Sequence, residues 1–322
     1  MRLSFPSVMP ALASLAAMSS ISTTEAFAAP CAAGSFSVTG SDPCTLASVG
    51  RYVPASGATS SLAADPGFYV SLPGAASQTP ADPGFFVPLS GQSTQTKATP
   101  GFYVPTAGAS QATKADPGFY VDTLGAVSQK AAGVGQFVPT AGQSSAQLAQ
   151  VGFFVPTTGQ SFQTAAPAGS YVPLQGQGQA TLADPGFFVP TTGQSTQTQA
   201  GLGTYVSKAG ASEATKADPG FFVATKGAVG QTAAAIGQFV PTAGQSSAQL
   251  AQVGFFVPTT GQSAQTPAPA GSYVPLQGQG QATLADPGFF VPTTGQSTQT
   301  QAGLGTYVSK AGASSAALAD PG

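Results

Sequence analysis

Few side chains in this sequence can move protons, attack carbon or hold a metal. There is no His, the side chain that titrates nearest neutrality. Glu is present only as Glu25 and Glu213. The Asp residues sit mostly in one short phrase, Asp-Pro-Gly, as at Asp65-Pro66-Gly67 and Asp184-Pro185-Gly186. A carboxylate there caps its own turn. One Asp per repeat would make a calcium ladder, but Gly133, Gln150, Pro167, Gly201 and Ala235 stand at the equivalent place elsewhere, so that ladder is broken. No Gly-rich loop ends in Lys followed by Ser or Thr, the arrangement that cradles phosphates. The expectation is a protein that is not an enzyme, with no catalytic residue, no cofactor and no metal site. Two thiols remain, Cys31 and Cys44. In an oxidising compartment they pair with each other and close a short loop over Gly34-Ser35-Phe36. Thr94-Gln95-Thr96, Thr196-Gln197-Thr198 and Thr298-Gln299-Thr300 raise one further chemistry, an array of hydroxyls that orders water, and with it an ice-binding alternative. Ser145 with Gln147, Phe162 with Thr164 and Glu213 with Thr215 interrupt that series.

What positions these residues is a period. Gly, any residue, an aromatic and Val recur from Gly50 to Gly305 at a spacing of 17, sixteen times without insertion or deletion. Within the repeat the first and eighth positions are always Gly, the third Phe or Tyr, the fourth Val and the fifteenth Ala. In the repeat that starts at Gly186 these are Gly186, Phe188, Val189, Gly193 and Ala200. The seventh, eleventh and fourteenth positions vary freely.

Two invariant glycines mark two turns, and Asp-Pro-Gly fits a turn with Pro second and Gly third. Between the glycines runs a short β-prone stretch of aromatic, Val, Pro and Thr. A Gly or Pro about every five residues excludes helix. The predicted fold is all-β, a β-solenoid-like array of 17-residue units, with an extended, turn-rich and partly disordered repeat as the alternative. Stacking would set each aromatic over the next aromatic and Ala183 over Ala200, burying a ladder that no single repeat could bury. Proline at the fifth position removes a ladder donor and belongs at an edge. It is replaced at Ser71, Asp122, Ser207, Ala224 and Ser309. A slower rhythm runs above the period: the twelfth position alternates Gln and Ala from Gln95, and the second alternates Phe with Gln, Ser or Thr from Phe119. The coil is then either 17 residues or a 34-residue pair, as two unlike rungs or one larger coil, and above it lies a 102-residue duplication that aligns Gln136–Ser161 with Gln238–Ser263.

Three segments follow. Residues 1–28 read as an export signal, with Arg2 ahead of a mostly apolar stretch and Ala26-Phe27-Ala28 offering small residues for cleavage. Residues 29–49 form a disulfide-closed N-terminal cap, and residues 50–322 the repeat array. No later stretch carries the roughly 18 apolar residues of a membrane-spanning helix. A net charge of −2 with 6% charged residues offers no electrostatic footing for nucleic acid. Phe153, Phe187, Phe221, Phe255 and Phe289, on the same side of the strand as the following Val, make an apolar stripe. It is either buried against the neighbouring repeat or exposed for self-association.

Cys31-Ala32-Ala33-Gly34-Ser35-Phe36-Ser37, then Gly40 and Cys44, resembles the cysteine-rich repeat of ephrin-receptor-like modules. The sixteen later repeats keep the Gly-x-aromatic but carry small or polar residues where Cys would stand. The resemblance implies an extracellular, disulfide-stapled repeat module and nothing catalytic. The expected function is structural: a secreted or cell-surface stalk, adhesin, sheath or matrix component that partners itself or surface and matrix components. A disordered elastic or glycosylated spacer is the other alternative.

Overall fold

A computed structural model describes residues 27–320. Residues 1–26, most of the expected export signal, and 321–322 lie outside the described residues. The described chain is all-β and contains no helix. It is built from two-residue strands paired as antiparallel two-stranded sheets, each inside one repeat. In the Gly186 repeat, Phe187–Phe188 pairs with Thr198–Gln199, placing Phe187 opposite Gln199 and Phe188 opposite Thr198. The sheet ladder thus closes within the repeat. It does not run from one rung to the next, as flat stacked β-coils would require.

Local chemistry explains the strand ends. Phe187 N–H donates to Asp184 C=O at 2.9 Å and Gly186 has φ 86°, a type II turn with Pro185 and Gly186 at its centre. Where Pro is missing the turn persists: Phe153 N–H donates to Gln150 C=O at 3.0 Å. Pro190 lies two residues past the strand's aromatic, exposed and outside the ladder, where its missing donor costs nothing.

The chain divides into two compact bodies. One holds the described residues up to Ala81 with Val87–Thr96 and Gly108–Ser110; the other holds Asp82–Phe86, Lys97–Ala107 and the described residues from Gln111 onward. Within each, backbone bonds link a repeat to the next and to the next but one. In the second body Gly186 N–H donates to Val206 C=O at 2.9 Å and Val189 N–H to Ala211 C=O at 3.0 Å, both one repeat along. Gly227 N–H donates to Ala200 C=O at 2.8 Å, two repeats back. In the first body the same bonds run from Gly50 N–H to Val70 C=O and from Gly74 N–H to Ala47 C=O.

The core follows from these bonds. Val189 and Ala200, like the other Val and Ala of their columns in the repeats before the last two, are almost wholly buried. The aromatics of the third position are half-buried instead. The expected aromatic ladder is therefore a Val and Ala core. Residues whose backbones bond outward have neighbours on all sides and can carry only small side chains, whereas Phe188 lies inside the hairpin and keeps part of its ring at the surface.

The cysteine segment joins the same scheme. Cys31 and Cys44 form a disulfide with Cα atoms 5.6 Å apart. Ser35–Phe36 pairs with Thr45–Leu46, Gly34 N–H donates to Val53 C=O and Gly57 N–H donates to Cys31 C=O. The expected cap is itself a repeat, one residue shorter.

Candidate interaction surface

The surface is built from positions that leave the core: the second and fourteenth, which face each other across the hairpin, and the twelfth and sixteenth, which meet between repeats. Phe153, Phe187, Phe221, Phe255 and Phe289 all occupy the second position and all are half-buried. Each faces a short or flexible partner: Ala165, Gln199, Ala233, Pro267 and Gln301. The intervening repeats reverse the sizes, setting Gln136 against Leu148, Ser170 against Leu182, Gln238 against Leu250 and Ser272 against Leu284.

This pair fills a slot beneath the eighth-position glycine two repeats along. A Cβ added at Gly261 would stand 3.8 Å from Phe221 Cζ, and one at Gly176 only 3.1 Å from Leu148 Cδ2. Phe221, and Phe119 beneath Gly159, thus approach the next-but-one turn with the ring edge, whereas beneath Gly227 the nearest side chain is Gln199. Leu148, Leu182, Leu250 and Leu284 are themselves more than half exposed. In the Gly84 repeat Phe85 and Lys97 share the slot, with Lys97 Nζ 5.6 Å from the ring centroid, a cation–π geometry.

The slow alternation of Gln at the twelfth position is a clamp. Gln197 Oε1 accepts from Asp184 N–H and its Nε2 donates to Asp184 Oδ2, each at 2.7 Å. Gln129 holds Asp116 and Gln231 holds Asp218 in the same way. Where Gln150 replaces Asp, Gln163 keeps only the bond to the backbone at 2.7 Å. The Asp carboxylate is thus held by the next repeat, beyond the turn it was expected to cap. A second local bond pins the outer loop, as Gln194 Nε2 donates to Thr191 Oγ1 at 2.8 Å.

The remaining polar surface is nearly neutral. Lys130 Nζ meets Asp122 Oδ2 at 2.8 Å on an exposed face. This hydrogen bond lowers the Asp122 pKa below the usual carboxylate range and raises that of Lys130. Of the Thr-x-Thr phrases, Thr198 lies on a strand and Thr196 on the bend before it, with Gln197 between them turned to Asp184. Shallow clefts open at one place in two repeats, lined by Val70, Ser71 and Ala75 in one and by Val308, Ser309 and Ala313 in the other. At both places Ser replaces the fifth-position Pro and Ala replaces Gln at the ninth. Their walls offer hydroxyls and carbonyls. Among the described residues no group of three His, Cys, Asp or Glu is placed to hold a metal ion, and no buried side-chain N or O lacks a partner. No helix of the described residues is long and apolar enough to cross a membrane.

Comparison of the chain with protein-family models and with curated proteins finds no match.

Proposed function

We propose that this chain is a non-enzymatic structural protein, exported and deployed at the cell surface or in the extracellular matrix. In this reading its repeats stack as a β-solenoid-like stalk. The observation that carries it is the pair of backbone links each interior repeat makes, as when Gly186 N–H bonds Val206 C=O and Gly227 N–H bonds Ala200 C=O. A continuous scaffold needs such links, and a loose spacer does not. The Cys31–Cys44 disulfide fits an oxidising compartment. The half-exposed stripe of Phe153, Phe187, Phe221, Phe255 and Phe289 is the surface for self-association or for matrix partners.

The test is expression of the full chain in a secreting host, followed by fractionation and circular dichroism. The expected product starts at Ala29 or Pro30, lies outside the cell, shows a β spectrum and melts cooperatively. An unprocessed chain retained inside, or a coil spectrum without a melt, would overturn the reading.

A further inference from the structure

Six glycines of the described repeats have no positive φ: Gly133, Gly178, Gly201, Gly230, Gly280 and Gly303. Of these, Gly178 and Gly280 are the two that a branched side chain crowds. A Cβ added at Gly178 would stand 2.3 Å from Val134 Cγ1 and 3.8 Å from Val134 Cβ. One added at Gly280 would stand 2.3 Å from Ile236 Cγ2 and 3.9 Å from Ile236 Cβ. The seventeenth position of one repeat thus meets the tenth position three repeats along. These are one contact made twice, 102 residues apart.

The same offset carries the rest of the packing. Leu148 Cδ2 lies 3.1 Å from a Cβ at Gly176, and Leu250 Cδ2 lies 3.1 Å from one at Gly278. Phe119 Cζ and Phe221 Cζ each lie 3.8 Å from a Cβ at Gly159 and Gly261. The backbone bonds repeat as well. Gly118 N–H to Val138 C=O and Gly220 N–H to Val240 C=O are both 2.9 Å, and Val121 N–H to Gln143 C=O and Val223 N–H to Gln245 C=O are both 3.1 Å. Residues 135–151 and 237–253 are letter for letter the same.

The outgoing edges of the Gly118 and Gly220 repeats therefore each meet an identical next repeat through the same backbone bonds. The Gly118 repeat, which normally precedes Gly135, offers the same donors at Gly118 and Val121 that Gly220 and Val223 supply. We propose that two copies of this chain splice by block exchange at the 102-residue offset. The part of one copy that begins at Gly135 docks where the other copy's part beginning at Gly237 stood. The junction keeps the same backbone donors and acceptors, no peptide bond breaks, and each chain crosses from one array to the other at Val134–Gly135 or Ile236–Gly237. One array gains six repeats and the other loses six. The inference rests on the stacked array proposed above and is independent of where the protein is deployed.

The crowded glycines give the test. In an unexchanged chain position 236 faces 280, and 178 faces 134. Only a spliced pair brings 236 of one copy to 178 of the other. At a Cβ separation of 3.8–3.9 Å a disulfide forms without strain. A chain with Ile236→Cys and Gly178→Cys is refolded under oxidising conditions at rising protein concentration. Ile236→Cys with Gly280→Cys reports the ordinary intramolecular contact, and Ile236→Cys with Ser195→Cys reports random pairing. The expected result is a covalent dimer linked between positions 236 and 178, mapped by mass spectrometry, growing with concentration and several-fold above the Ser195 control. Monomers only, or dimers no more abundant than in that control, overturn block exchange when the Ile236→Cys and Gly280→Cys chain closes its own bridge. If that chain stays open, the stacked array itself is overturned.

Discussion

In the repeat that starts at Gly220, Phe221 lies across from Ala233; in the Gly169 repeat, Ser170 lies across from Leu182. Both pairs reach the slot beneath a turn two repeats along, at Gly261 and Gly210, one with a ring from the first strand, the other with a branched chain from the second. The slot fixes a volume and leaves open which strand supplies it. That is the tolerance seen when cores are repacked at constant volume. Each position of the pair looks free when read alone, and the two are constrained when read together.

The comparison can first be tested where it predicts no difference. Gly169→Ala and Gly186→Ala sit in unlike repeats but meet the same obstacle, a Cβ 2.2 Å from Gly210 O and 2.3 Å from Gly227 O. Each is expected to lose roughly 2–5 kcal/mol in urea unfolding, from a left-handed backbone and an overpacked contact. Gly193→Ala, with nothing within 4 Å of its Cβ, is expected to lose only the backbone share, about 1–2 kcal/mol. Unequal losses at Gly169 and Gly186 would mean that the two repeat types differ in more than their slots.

The slot itself is tested next. Phe221→Ser empties it and Ala233→Leu overfills it, each at roughly 1–3 kcal/mol. Together they recreate the pair found at Ser272 and Leu284 and are expected to recover about 1 kcal/mol or more of the summed loss in a double-mutant cycle. Strict additivity would refute the shared slot.

The smallest effect concerns charge. The Gly118 repeat carries Asp122 and Lys130 where the Gly220 repeat has Ala224 and Thr232, so one molecule contains both versions. The Lys130 hydrogen bond depresses the Asp122 pKa and is the main reason Lys130 is raised. Asp122 therefore adds stability above the ordinary carboxylate range, lost as pH falls through its depressed pKa. Lys130 adds stability below the ordinary lysine range, lost as pH rises through its raised pKa. Stability is expected to be flat between the two, and Asp122→Asn to remove both dependences by a margin near the error of a thermal melt.

Much of this was legible in the letters. The period, both glycine turns, the type II turn at Asp184-Pro185-Gly186 and the Cys31–Cys44 bridge all follow from residues whose chemistry is local. The pairing of the strands was not. A two-residue strand carries no alternation from which a partner or register can be read, so whether Phe188 pairs within its repeat or with the next rung was open. The alanine part of the expected core is buried, and the aromatic part differs for a related reason. Invariance at the third, fourth and fifteenth positions looks alike in sequence, but only Val189 and Ala200 stand where neighbouring repeats close over them. The Phe stripe was legible as a stripe, and its half-buried state depends on a turn 34 or more residues away. The alternation of Gln was visible from Gln95 onward, while its meaning, a grip on the previous repeat's Asp, needed the fold.

The backbone bonds reach one or two repeats along the chain, and the side-chain contacts at Gly178 and Gly280 reach three. Damage is therefore contained. A lesion at Gly186 disturbs its links to Val206 and Gly227, while Gly271 keeps its bond to Val291 C=O at 2.9 Å. A globule shares a single core, so injury anywhere is felt everywhere. This molecule fails as a zip fails, at the tooth that is bent, with the teeth on either side still closed.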